Sequence, residues 1–136
     1  MKVFISYSSK DEALATKLVE ALEAAGLDAW YTKREVMPGD NWAEKIAGGL
    51  KESNAMVVLV TPDALESDSV QSSISYALGE KAFSRRLIPV IVGDSADFPK
   101  DRLPWIFKRL HTVNLAKDGQ NEEQFKKIAQ ALKDAA

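Results

Sequence analysis

Hydroxyls and aromatic rings, not thiols or paired carboxylates, stand where this sequence is best placed to do chemistry. Ser6-Tyr7-Ser8-Ser9 follows a short apolar run, Thr32-Lys33-Arg34-Glu35 follows a second, and Thr61-Pro62 follows a third. Farther on, Ser69, Ser73, Tyr76 and Glu80 recur at i, i+4, i+7 and i+11, which puts them on one helix face. A serine hydroxyl is uncharged at neutral pH, and none of these has a basic neighbour that would make it a nucleophile. Tyr7 has two readings: its ring can stack on a flat heterocycle, or it can close the rim of the core. The chain has no cysteine and a single histidine, His111. That excludes disulfides, thiolate metal sites and cysteine nucleophiles, and it leaves a zinc site without ligands. No metal is expected.

These residues need elements to hold them. Val3-Phe4-Ile5 reads as a strand, and the Ser9/Glu12 spacing reads as a capping box opening a helix with Leu14, Leu18 and Leu22 on its buried face. Gly26 suits the left-handed stop of that helix. Leu27 to Tyr31 is the second strand. Met37-Pro38-Gly39-Asp40 breaks the chain, and a helix with Trp42, Ile46 and Leu50 on one face follows; Trp42 is expected to pack beneath the break. Ala55 to Thr61 is apolar throughout, as a strand is when helices cover both faces of its sheet. A helix is predicted over about residues 67–83, a fourth strand over Leu87 to Val92 and a fifth over Leu110 to Leu115. The last helix carries Phe125, Ile128, Ala129 and Leu132 on one face.

Such alternation calls for a doubly wound α/β fold, a parallel sheet with right-handed crossovers. Its ligands bind beyond the carboxyl ends of the strands, where the hydroxyl-rich segments lie. Pro89 conflicts with the pattern. It cannot donate a ladder hydrogen bond, so by pattern alone its strand belongs at a sheet edge or a bulge.

Composition narrows the function classes. The 136 residues fit one domain, residues 1–136, and the 46% apolar and 28% charged content is that of a soluble globular protein. A net charge of −2 gives no reason to expect nucleic acid or an anionic membrane as partner. The longest apolar run, Ala55 to Val60, is far below the ~20 residues that span a bilayer. No signal-like segment follows Met1-Lys2, so a cytoplasmic location is expected. A phosphoacceptor receiver domain would need clustered carboxylates after the first strand and an acceptor Asp after the third, and neither is present. Gly48-Gly49 sits in a helical stretch with no Lys-Ser/Thr after it, so it is not a phosphate loop.

The ordered set of motifs resembles the Toll/interleukin-1 receptor (TIR) domain family of bacteria. Val3-Phe4-Ile5-Ser6-Tyr7-Ser8 is similar to the family's opening box, and Trp30-Tyr31 with Val36-Met37-Pro38-Gly39-Asp40-Asn41-Trp42 to its second box, the BB loop. Val57 to Pro62, Val70 to Leu78 and Arg86 to Val92 are similar to the segments that follow, so the likeness covers about residues 2–93. It implies a flavodoxin-like three-layer fold with a five-stranded parallel sheet in the order 2-1-3-4-5. The family also carries proline in its fourth strand, which overrides the objection to Pro89.

The resemblance implies two functions. One is homotypic assembly with other TIR domains through the BB loop, residues 36–41, giving a homo-oligomer when active. The other is cleavage of NAD to nicotinamide plus ADP-ribose or a cyclic isomer, with NAD as substrate and no cofactor. Bacterial relatives serve defence signalling. The implied substrate-binding residues are Ser6, Tyr7, Ser8, Thr32, Pro38, Gly39 and Tyr76. The cleavage is glycosidic, and a carboxylate stabilises the oxocarbenium-like ribose or holds its hydroxyls. In NAD-cleaving relatives that carboxylate is a Glu, and the matching position here is Ser73. The position often held by Trp is Ser69, and that often held by Asp is Thr32. The chain is therefore expected to be slow or inactive, which leaves a non-catalytic interaction domain as the alternative. Glu80 is the first candidate for a substitute acid, although about 10 Å along the helix axis separates it from Ser73. Glu66, nearer the loop, is the second. Both otherwise read as surface carboxylates.

Overall fold

The computed structural model describes residues 1–80, 83, 86–93, 110, 112–115 and 121–135. The elements are β1 (Lys2–Ser6), α1 (Glu12–Ala24), β2 (Asp28–Trp30), α2 (Thr32–Glu35), α3 (Trp42–Glu52), β3 (Ala55–Val60), α4 (Pro62–Leu65), α5 (Asp68–Gly79), β4 (Leu87–Val92), β5 (Val113–Leu115) and α6 (Glu122–Asp134). The five strands form one parallel sheet in the order β2-β1-β3-β4-β5. His111 lies outside the described residues.

Alternate residues of each strand face different helices. Val3, Ile5, Val57, Leu59, Ile88 and Val90 pack under α1 and α6 with Leu18, Leu22, Ile128 and Leu132. Phe4, Met56, Val58, Val60 and Leu87 pack under α3, α4 and α5 with Leu50, Leu65, Val70 and Ile74. All six residues of β3 are buried, which is why its sequence is apolar on both faces. Among the described residues, no helix is long and apolar enough to cross a membrane.

Several local expectations shift. The Ser9/Glu12 capping box does not form; Ser9–Asp11 is a 3-10 turn capped by Ser8, whose Oγ accepts from the Lys10 N–H at 3.4 Å. α1 starts at Glu12, two residues beyond the Lys10 start that a Ser9 cap would set. α5 ends at Gly79, several residues short of the predicted 83. β4 lies inside the sheet despite Pro89. The β4–β5 register starts at Val90, one residue past the proline, so the missing donor removes no described β5 bond there.

Gly49 is required by packing. A Cβ on this α3 residue would overlap the indole of Trp30, which stacks on Phe4 with ring centroids 4.9 Å apart. Gly49 thus lets α3 sit close to the β1–β2 edge of the sheet, whereas Gly48 faces open space.

Candidate functional site

The carboxyl ends of β1 and β2 open into a cleft of about 430 Å³. Tyr7, Ser9 and Glu12 line it from the β1–α1 connection, Thr32 and Lys33 from α2, and Val36 from just beyond α2. Trp42 contributes from the start of α3, and Ser67 and Ser69 from the start of α5. Among the described residues of this lining, Glu12 is the one acidic residue and Lys33 the one basic residue.

Tyr7 joins two of these walls. Its hydroxyl accepts from Thr32 Oγ1 at 2.8 Å and from the Lys33 N–H at 3.1 Å, which leaves its own proton for a further acceptor. Burial pushes the Tyr7 pKa up, the Glu12 carboxylate pushes it the same way, and the two hydrogen bonds oppose them. The hydroxyl is therefore a neutral donor, not a base. Tyr7 packs on the core beside Tyr31, as the rim reading expects, and it also lines the cleft. α2 is fixed from behind by Arg34, which binds Glu23 through both carboxylate oxygens at 3.1 and 2.9 Å and lies over the Tyr31 ring.

Beyond α2 the chain turns sharply. The Asp40 N–H donates to the Met37 carbonyl at 3.0 Å and Gly39 has φ of 92°. Pro38 and Gly39 thus occupy the two central places of a type II turn, where proline presets one dihedral and glycine takes the positive one. The Asp40 carboxylate closes the turn by accepting from the Met37 N–H at 2.9 Å. Both turn residues, expected at the substrate, are exposed and are not among the residues lining the cleft. Met37 is 56% exposed at the turn. Trp42 is 52% exposed, which corrects the expectation that it packs beneath the loop. As the first residue of α3, it projects from the helix end before the apolar stripe of Ile46 and Leu50 begins.

Ser73 lies in the α5 seam. It is 2% exposed, with its Oγ 2.7 Å from Ser6 Oγ and 3.0 Å from the carbonyls of Ser69 and Val70. The two hydroxyls form a buried pair between β1 and α5. Ser6 and Ser8, expected at the substrate, are buried and spent on structure: Ser6 on Ser73, Ser8 on capping the 3-10 turn. Ser73 and Tyr76 edge a second groove of about 380 Å³ between α3 and α5, with Ile46, Ala47 and Leu50 as its apolar side. Trp42 and Ser69 belong to both, so the indole divides cleft from groove.

Glu80 does not share the Ser73 face. α5 has already ended, and Glu80 is an exposed, extended residue at its carboxyl terminus, whereas Ser67 and Ser69 bring the opposite end of the helix to the cleft. Glu66 lines neither cavity. Of the described cleft lining, Ser9, Glu12, Lys33, Val36, Trp42, Ser67 and Ser69 were outside the expected substrate-binding set. Glu12, Trp42, Ser67 and Ser69 share a position, at or just before the first turn of a helix, near the strand ends where open α/β sheets bind ligands.

Thr61, after β3, serves the fold. It donates to Asp11 Oδ2 at 2.6 Å and accepts the Ala64 N–H at 3.0 Å, which caps α4 ahead of Pro62. Burial holds the Asp11 carboxyl above the usual aspartate range, in spite of the Thr61 bond.

A parallel sheet in this order, with a polar cleft beyond β1 and β2 and a sharp turn beside it, defines a flavodoxin-like α/β module. Residues 3–130 match the TIR domain family model, and the chain belongs to that family. It is 27% identical over 86 residues to the "2' cyclic ADP-D-ribose synthase BtTIR" of Bacteroides thetaiotaomicron, covering 62% of this chain and 30% of that protein. It is 36% identical over 66 residues to the "Probable 2' cyclic ADP-D-ribose synthase TcpO" of Methanobrevibacter olleyae, covering 48% of this chain and 19% of that protein. The chain thus spans less than a third of the length of these curated relatives. The TIR domain of the Toll-related receptor TRR-2 from Hydra magnipapillata superposes with a TM-score of 0.71 at 22% identity, covering 96% of this chain and 97% of that one.

Proposed function

We propose that this chain is a TIR signalling module that binds NAD in the β1–β2 cleft and turns it over slowly or not at all as written. The observation that carries this reading is the state of Ser73, a neutral hydroxyl closed into a buried bond with Ser6 at the position where NAD-cleaving relatives hold a carboxylate. The cleft keeps what a dinucleotide needs: an exposed indole for a flat ring, a lysine for phosphate and hydroxyl donors for ribose. The names of the curated relatives support NAD cleavage and cyclisation as the chemistry of the class. In that chemistry the bond from ribose C1′ to the nicotinamide nitrogen breaks, and the electron pair leaves with neutral nicotinamide. Water or a hydroxyl of the same nucleotide then captures the ribosyl cation and releases a proton. A defence-signalling role in a bacterial cytoplasm belongs to the same reading.

The second reading, an interaction domain without catalysis, is favoured by the same buried pair together with the exposed Met37–Asp40 turn. In this reading the turn docks on a neighbouring TIR domain.

Incubation with NAD at high protein concentration, with chromatography of nicotinamide and ADP-ribose products, tests both readings. The unaltered chain should release nicotinamide very slowly. Ser73→Glu should raise the rate by about 10²–10³, the scale of one pre-organised electrostatic group. In that variant the Ser6 hydroxyl becomes a donor to the new carboxylate. Rapid release by the unaltered chain would overturn the slow-turnover reading. If Ser73→Glu folds and stays inert, the interaction-domain reading stands.

A further inference from the structure

We infer that Glu12 is the specificity residue of the cleft, and that its carboxylate makes the site select a cationic pyridinium nucleotide over the same nucleotide with a neutral ring. The inference rests on the proposed NAD-binding cleft and adds which oxidation state that cleft takes.

The geometry begins with the helix start. Because the Ser9/Glu12 capping box does not form, the Glu12 carboxylate is not folded back on the Ser9 backbone, and the residue lines the cleft as the first of α1. Glu12 enters none of the described ion pairs. The nearest cation in sequence, Lys10, pairs instead with Asp63 at 3.6 Å. The Glu12 charge also acts on the Tyr7 hydroxyl, on the same wall of the cleft. A cleft carboxylate with no ion-pair partner among the described residues favours a positive ligand group.

Trp42 strengthens the same preference. Its indole is exposed on the same cleft, and an indole face attracts a cation through the ring quadrupole. A flat positive ring satisfies both Glu12 and Trp42, while Lys33 meets the phosphates that every nucleotide of this kind carries. Oxidised NAD has such a ring, and NADH differs mainly in lacking its charge. Lys33 does not distinguish the two forms, so the discrimination falls to Glu12 and Trp42.

The test is calorimetric titration of the unaltered protein, Glu12→Gln and Glu12→Asp with NAD and with NADH. Circular dichroism serves as the folding control for these exposed substitutions. The unaltered protein should bind NAD more tightly than NADH. Glu12→Gln should shrink the ratio of the two affinities about three- to fivefold, the scale of one solvent-screened charge. Glu12→Asp should retain part of the ratio, and raising the salt should erode it in the unaltered protein but not in Glu12→Gln. If NAD binds and Glu12→Gln leaves the ratio unchanged, the role of Glu12 is refuted while the cleft reading survives. If neither nucleotide binds the unaltered protein at millimolar concentration, the cleft reading falls and the inference with it.

Discussion

On the β2 side of the cleft, polar groups are held open; on the α5 side, they are closed on one another. Tyr7, Thr32 and Lys33 share hydrogen bonds at the surface, and beyond them the Met37–Asp40 turn and Trp42 stand exposed. Across from them, Ser6 and Ser73 meet at 2.7 Å with almost no solvent access. The first region leaves polar groups at the surface that a ligand could share. The second is built like a core contact, because every donor is already used. The family resemblance alone does not separate these roles, since it assigns Ser6, Tyr7, Ser8, Thr32, Pro38, Gly39, Ser73 and Tyr76 to a single site.

The contrast is sharpest in the buried pair. Ser73→Ala should destabilise the protein by about 1–3 kcal/mol, because it strands the Ser6 hydroxyl with no other described partner. Ser6→Ala should cost less, since Ser73 keeps the Ser69 and Val70 carbonyls as acceptors. The double variant should cost less than the sum of the two. Urea unfolding of all three measures the coupling. Strict additivity would mean that the seam is as open to water as the other wall.

On the open side, Tyr7→Phe removes an acceptor whose two donors can turn to water, so the loss should be smaller, about 0.5–1.5 kcal/mol. The pH dependence gives an independent check. The folded pKa of Tyr7 lies above the ordinary 10.0, so folding favours the protonated phenol. Its contribution is complete below that ordinary value and declines as pH rises through the higher folded one. Unfolding midpoints at alkaline pH should therefore fall in the parent and fall less in Tyr7→Phe. An equal fall in both proteins would assign the alkaline loss to other groups.

The smallest effect on stability is expected at the turn. Pro38→Asp should cost less than about 1 kcal/mol, mostly through added freedom of the unfolded chain. Self-association followed by sedimentation across a concentration series should nevertheless weaken about tenfold, because a preset loop loses little entropy on docking. A parent that stays monomeric at its highest soluble concentration, with and without NAD, would show that the turn does not assemble this domain by itself.

Much of this was legible in the chain because it is local. The apolar run of β3 follows from helices on both faces of the sheet, and Pro38-Gly39 names its turn type through the dihedrals that those two residues allow. Gly26 marks the end of α1 with φ of 91° for the same reason. Tertiary structure decided the rest, because it depends on residues far apart in sequence. Ser73 meets Ser6 across 67 positions, Tyr7 meets Thr32 across 25, and Gly49 is fixed by an indole on another element. The helix face of Ser69, Ser73, Tyr76 and Glu80 was correctly periodic up to Gly79, yet periodicity is blind to where a helix stops. The Ser9/Glu12 spacing satisfied a capping motif, but the chain instead formed a 3-10 turn there, with Asp11 held by Thr61 from the end of β3. Sequence fixes which conformations each segment prefers, whereas packing of distant segments decides which hydroxyl is buried and which carboxylate faces the cleft.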